Sequence, residues 1–233
     1  FDTRDGRWLT INPDEKYRPA SLLKVPLMMA VLKKAESDPS ILSKKILYKG
    51  DQDLNQKQNI KPAETLTTGQ YYSVVELLRR MLTYSDNNPV PLLLNNMDSG
   101  ALAKTYTDLG FAPTDTDIKV KIYARFFKVL YNGTYLNREM SEKAMEMLIQ
   151  PDLSQGLKSG LPDDISLASK FGERNLNDAN GNSILKELHD CGIIYFPNHP
   201  YLLCVMTKGN DFNKLAGTIK NISALIYQNF NNF

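Results

Sequence analysis

Pro19-Ala20-Ser21-Leu22-Leu23-Lys24-Val25-Pro26 runs directly into Leu27-Met28-Met29-Ala30-Val31-Leu32. The second run has no polar break, which predicts a buried helix rather than one with a solvated face. A serine and a lysine three residues apart share one face of such a helix. A hydroxyl and an amine at its start form a nucleophile–base pair if burial or a neighbouring cation lowers the lysine pKa. The helix start adds free backbone N–H groups and a positive dipole end, both suited to an anionic intermediate. The same residues also read as an N-capping serine with the lysine turned to water. Ser21-x-x-Lys24 therefore decides nothing by itself.

Before this helix, residues 6–12 alternate as a strand does, and Asn12-Pro13-Asp14-Glu15 makes a turn. Behind it, Ser37-Asp38-Pro39 stops the helix near Glu36, and residues 41–66 read as short pieces and loops, the polar run Asn55-Gln56-Lys57-Gln58-Asn59 among them. Ser73 with Glu76 predicts a capping box ahead of the stripe Val74, Leu77, Leu78, Met81 and Leu82. Further helices are expected around Leu92–Leu94, over Met97–Leu109, over Val120–Asn132 and over Ser141–Ile149, the last capped by Ser141. Strands are expected over 166–172, 184–196 and 201–207, and a final helix opens at Asp211 or Asn213. Strands at both ends and helices between predict an α/β (α+β) chain: a sheet domain from residues 1–40 plus 161–233, an inserted all-helical domain over 41–160, and an active site between them.

The chain has 233 residues, 42% of them hydrophobic and 23% charged, enough for a large core. A net charge of +2 argues against nucleic acid or an anionic membrane as the main partner. No apolar run reaches the about 20 residues a membrane span requires. The chain opens on Phe1 rather than methionine, so an upstream segment is expected to have been removed. Cys191 and Cys204 flank the turn Pro197-Asn198-His199-Pro200; they are taken as two free buried cysteines, since a direct cross-strand bond needs a demanding register. His189 and Trp8 read as packing residues, the methionines as core fillers, and no His/Cys/Asp spacing suggests a metal.

Three short motifs stand in order: Ser21-x-x-Lys24 opening a buried helix, Ser85-Asp86-Asn87 in a turn between helices, and Lys170-Phe171-Gly172 on a strand after the helices. With these the chain resembles the penicillin-recognising serine hydrolases, most closely the class A β-lactamase branch, over nearly its whole length. The resemblance implies an antiparallel sheet of five strands flanked by helices, with a helical insertion. It implies Ser21 as the acylated nucleophile and Lys24 as the group that takes or relays its proton. Ser85 would pass a proton to the leaving nitrogen, Asn87 would bind a substrate amide or hydroxyl, and Lys170 would set positive charge near Ser85 and the substrate carboxylate. The backbone N–H groups of Ser21 and Glu173 would form the oxyanion hole, with Phe171 and Gly172 lining the substrate strand. No cofactor or metal is implied. The implied partner is a small β-lactam or a peptidoglycan peptide, the location outside the cytoplasm, and the state a monomer.

Two departures stand out. Phe171 occupies the place of the third motif's hydroxyl residue, which removes one hydrogen bond to a substrate carboxylate. The loop that carries the family's deacylating glutamate looks deleted: Phe111–Ile118 follow Gly110 with no Glu-x-x-x-Asn. Asp115 and Asp117 read as surface turn residues, and Glu173 as a solvated acid beside the oxyanion hole; each is nonetheless a possible substitute base. The expectation is acylation at Ser21 with slow or unusual deacylation. Alternatives are a DD-peptidase acting on peptidoglycan peptides and a non-hydrolytic β-lactam sensor.

Overall fold

Leu167, Ser169 and Phe171 alternate with Ala168, Lys170 and Gly172 along the strand Leu167–Asn177, so two sets of side chains face opposite sides of one sheet. In the computed structural model, which describes residues 1–112, 116–149, 155–180 and 183–230, the chain divides into two units, each built from separate stretches.

The first unit comprises Phe1–Leu22, Thr114–Lys128 and Ile149–Phe233. Short strand β1 (Lys16–Tyr17) pairs with β4 (Ile118–Lys119). The main sheet is antiparallel, in the order β5 (Leu167–Asn177), β6 (Ser183–Ile194), β7 (Tyr201–Gly209). Its register sets Lys170 opposite Cys191 and Phe171 opposite Asp190. Leu167, Leu188, Ile194, Tyr201 and Val205 form a core with Leu215 and Ile219 of the last helix, Phe212–Asn229, which Asp211 caps through the Asn213 and Lys214 N–H groups.

The second unit comprises Leu23–Pro113 and Val129–Leu148. Its helices are α1 (Lys24–Ala35), α2 (Val74–Thr83), α3 (Pro89–Asn95), α4 (Ala101–Asp108) and α6 (Arg138–Leu148); α5 (Val120–Tyr131) runs from the first unit into it. Ten of the twelve residues of α1 are buried, including Lys24, as its uninterrupted apolar sequence requires. Ser73 and Glu76 close a full capping box on α2.

Several expectations are corrected. Helix α1, placed by the sequence with the sheet, groups with the helices, and residues 114–128 group with the sheet. The insertion is not all helical, because β2 (Lys45–Leu47) pairs with β3 (Tyr71–Ser73). Asn137, not Ser141, caps α6, its side chain accepting from the Met140 N–H at 2.9 Å, while Ser141 is buried inside the helix. No strand forms over 6–12. Asp5 and Gly6 make a tight turn, Leu9 and Ile11 stay exposed, and a cavity of about 340 Å³ lined by Trp8, Ile11, Val205 and Ile222 separates this segment from β7. Phe1 and Asp2 extend the β7 edge of the sheet, with Phe1 exchanging both backbone bonds with Leu202 and Asp2 bridging Tyr201, and Ile149 bridges Ala168 on β5. Among the described residues the main sheet thus has three strands, with bridged additions at both edges, where the resemblance implied five.

The cysteines are not free. The β6–β7 register opposes Cys191 and Cys204 with Cα atoms 4.0 Å apart, and the two are bonded. That spacing belongs to a non-hydrogen-bonded antiparallel pair, the close position where a direct cross-strand bridge can form. The bridge closes a sequence separation of 13 residues. Reduction is expected to cost about 3 kcal/mol of folding stability, on the loop-entropy estimate. Melting curves with and without a thiol reductant check this; an unchanged midpoint would contradict it.

Candidate active site

Two non-glycine residues with left-handed backbone sit in the motifs themselves: Ala20 (φ 48°), just ahead of Ser21, and Ser85 (φ 57°). The other two are asparagines, for which that region is ordinary. Strain of this kind persists only where surrounding contacts over-determine it, and both motif turns are held in that way.

In the first unit, Ser21 lies in a 3-10 turn, Ala20–Leu23, that leads into α1. The Leu22 N–H donates to the Pro19 carbonyl at 2.9 Å, and the Tyr123 hydroxyl donates to the Leu22 carbonyl at 3.0 Å. Gly172 of β5 lies against this turn so closely that a Cβ there would meet the Pro19 oxygen at 2.8 Å and Leu22 Cγ at 2.9 Å. Glycine is required for backbone to approach backbone at that distance. The third motif is therefore laid along the turn that carries Ser21.

Lys170 is fully buried, its Nζ 3.9 Å from the centroid of the Phe171 ring. Burial pushes its ammonium down to about 7, with Asp190 and Glu173 pulling back against that fall. Phe171 and Gly172 are buried and Glu173 is half-buried. Asp190, also fully buried, accepts from the Leu157 N–H at 2.8 Å. Burial raises its carboxyl to about 6 against the lowering influence of Leu157, Ser169 and Lys170. A charged residue inside the apolar run Leu188–Ile194 was the sequence signal for Asp190, and sequence reasoning passed over it.

His189 is structural, as its sequence context suggested. Its Nε2 meets the Arg18 carbonyl at 3.1 Å and its Nδ1 accepts from the Thr207 N–H at 3.3 Å. Burial pushes it down to about 4. The folded state holds the neutral ring while the unfolded chain takes up a proton below about 6.5, so stability is complete above that pH. As pH falls from about 6.5 to 4, up to about 3 kcal/mol is lost from this group. Urea unfolding at pH 7 and pH 4.5 is expected to show that loss, and His189→Gln to shrink it; an equal acid slope in the variant would refute the assignment.

In the second unit, Lys24 is buried and its Nζ donates to the Ser85 carbonyl at 2.7 Å and to Ser85 Oγ at 3.2 Å. Asp86 is fully buried and spends its carboxylate on the loop around it. Its carboxylate accepts from Asn55 Nδ2 at 2.7 Å, the Leu66 N–H at 3.0 Å and the Asn88 N–H at 2.9 Å. Asn87 is fixed at both ends, its N–H donating to Asn55 Oδ1 at 2.8 Å and its Nδ2 to the Leu54 carbonyl at 3.1 Å. Gln58 Nε2 donates to the Ser85 carbonyl at 3.0 Å. Asn55 and Gln58 went unrecognised in sequence because they lie in a polar run with neither helical nor strand period. The density of amide side chains was the available signal.

Of the proposed substitute bases, Asp117 is engaged in an ion pair with Arg18 at 2.9 Å, and Asp115 lies outside the described residues. Among the described residues no group of three or more His, Cys, Asp or Glu could hold a metal, and no helix is long and apolar enough to cross a membrane.

The sequence profile of the beta-lactamase enzyme family matches residues 1–230. The chain belongs to that family. A β-lactamase of Streptomyces albus G is 26% identical over 231 residues, covering 89% of this chain and 70% of the relative, and one of Streptomyces fradiae is 23% identical over the same length, covering 89% and 71%. Among solved structures, the TLA-3 extended-spectrum β-lactamase superposes with a TM-score of 0.83 at 20% identity, covering 98% of this chain and 90% of that one. PBP-A superposes at 0.81 and 18% identity, covering 100% and 88%; a variant of it was solved as an acyl-enzyme complex with penicillin G. The fold is that of the class A β-lactamases, and the chain is a β-lactamase-like serine hydrolase by family.

Proposed function

We propose that this chain forms an acyl-enzyme at Ser21 with β-lactams or related amides and releases it slowly. The observation that carries the reading is the pair of bonds from Lys24 Nζ to Ser85, since they join the first and second motifs in one buried proton path. Ser21 Oγ attacks the lactam carbonyl carbon and gives its proton to neutral Lys24. The oxyanion is met by the Ser21 and Glu173 backbone N–H groups. The carbonyl–nitrogen bond then breaks, and the nitrogen takes a proton from Lys24 by way of the Ser85 hydroxyl. The product is an ester on Ser21 and a secondary amine. In this reading Asn87 serves the substrate's side-chain amide and Lys170 its carboxylate.

Phe171 brings no hydroxyl to that carboxylate, which favours weak ground-state recognition of classical penicillins. Glu173 is an acid beside the proposed oxyanion hole, since its own N–H is one of the proposed donors. Without a placed base for water, the ester is expected to outlast many acylation times. A nitrocefin time course followed together with the intact mass tests this: a burst and a persistent adduct are expected, and neither adduct nor turnover with several β-lactams would overturn the proposal.

A second reading, a DD-peptidase of peptidoglycan peptides, is favoured by the likeness to PBP-A and by the lack of a Glu-x-x-x-Asn between Gly110 and Ile118. Release of D-alanine from an acyl-D-Ala-D-Ala peptide, lost in Ser21→Ala, would select it. The Cys191–Cys204 bond supports a place outside the reducing cytoplasm for either activity.

A further inference from the structure

The Ser85 carbonyl accepts two hydrogen bonds, from Lys24 Nζ at 2.7 Å and from Gln58 Nε2 at 3.0 Å. We propose that Gln58 is a positioning residue for Lys24, acting through this shared carbonyl. The proposal rests on the acyl-enzyme reading above for its kinetic consequence, though its geometric part does not.

Gln58 comes from the loop between β2 and β3, outside all three motifs. Its amide orientation follows from its partner: a carbonyl can only accept, so the NH2 end must face Ser85. The Oε1 end is buried with no hydrogen-bond partner among the described residues. That is a cost the protein accepts, because an unpaired buried acceptor destabilises the fold. Sequence positions that carry such a cost are often explained by function rather than folding.

The function is legible in the backbone. Ser85 is held left-handed, a conformation a serine leaves readily unless its peptide groups are tied. On the downstream side, Asp86 is tied by the Asp86 N–H to Arg80 carbonyl bond at 3.2 Å and by the three donors to its carboxylate. The carbonyl of Ser85 itself is tied by side chains, Lys24 and Gln58. The peptide plane is also anchored through the Asp86 N–H, but Lys24, one of the two donors on its oxygen, changes charge as the reaction proceeds. Gln58, the uncharged donor, keeps that oxygen and the Ser85 hydroxyl in place while Lys24 takes up and hands on a proton.

The test compares the wild-type chain with Gln58→Met, which keeps the volume and removes the donor, and Gln58→Glu, which turns an acceptor toward the carbonyl. Stopped-flow acylation by nitrocefin should separate the acylation rate constant from the dissociation constant of the noncovalent complex. Losing one hydrogen bond used in the chemical step is expected to slow acylation about tenfold in Gln58→Met, and more in Gln58→Glu, with the dissociation constant within about twofold. The melting temperature should stay within a few degrees. A second measurement needs no turnover: the side-chain resonance of Lys24, labelled at Cε, is expected to shift in Gln58→Met. An unmoved Lys24 resonance overturns the proposal whether or not the enzyme acylates. Equal acylation rates in wild type and Gln58→Met overturn it too, as does a loss confined to binding. A wild-type chain that forms no adduct, but whose Lys24 resonance moves in Gln58→Met, refutes the acyl-enzyme reading and leaves the positioning of Lys24 upheld.

Discussion

Ser21→Ala is expected to abolish the covalent penicillin adduct and to lower any β-lactam or peptide turnover by at least about a thousandfold, the scale seen when a hydrolase loses its nucleophile. The fold should tolerate the change. Ser21 is only half-buried, and the turn around it is held by the Leu22 N–H to Pro19 bond and by Tyr123 rather than by the serine hydroxyl. A mass shift equal to the ligand in the wild-type chain, absent in Ser21→Ala at an unchanged melting temperature, is the expected pattern. An adduct that survives in the variant would place the nucleophile elsewhere.

Asp86→Ala should have the largest effect on stability. The aspartate is fully buried and its carboxylate serves three donors, Asn55 Nδ2, Leu66 N–H and Asn88 N–H. Alanine leaves the Leu66 and Asn88 N–H groups without this acceptor in a site closed to water, and leaves Asn55 Nδ2 with Thr65 Oγ1 alone. Each buried orphan costs about 1–3 kcal/mol, so about 3–5 kcal/mol is expected after partial relaxation. Asp86→Asn retains the shape but turns an NH2 group toward a donor, and should lie between the two. Denaturant midpoints measure both. The activity left in Asp86→Ala should fall further than the folded fraction does, because Ser85 and Asn87 flank the lost anchor. A variant within 1 kcal/mol (about the scale of a single net hydrogen bond) of the wild type would mean that the network carries little of the motif's geometry.

The contrast between these residues explains what could be read in advance. Ser21, Lys24, Ser85, Asn87 and Lys170 could be named in advance because each lies in a short motif of local spacing, and their roles belong to the proposed function. The capping box of α2 and the Asp211 cap of the last helix were legible for the same reason. Asn55, Gln58 and Asp190 were not, since their meaning depends on partners 27 to 33 residues away, such as Ser85, Asp86 and Leu157. The disulfide was missed because a register shift of one residue decides whether two cysteines oppose one another, and no short-range pattern fixes that register. The strand expected over 6–12 failed where alternation was real but no neighbouring strand lay within reach, and alternation alone supplies no pairing partner.

The Ser21 turn is seated by Gly172, and the first residues of the chain are tied to Leu202. Both contacts span most of the polypeptide, so they form late in synthesis and at a high cost in loop closure. On the ribosome, Ser21 emerges before β5 and stays unsupported until that strand has been made. A partly synthesised chain therefore carries Ser21 without the Glu173 N–H proposed as its second oxyanion donor. On the proposed acylation at Ser21, a chain that ends before β5 is expected to be inert to acylating compounds.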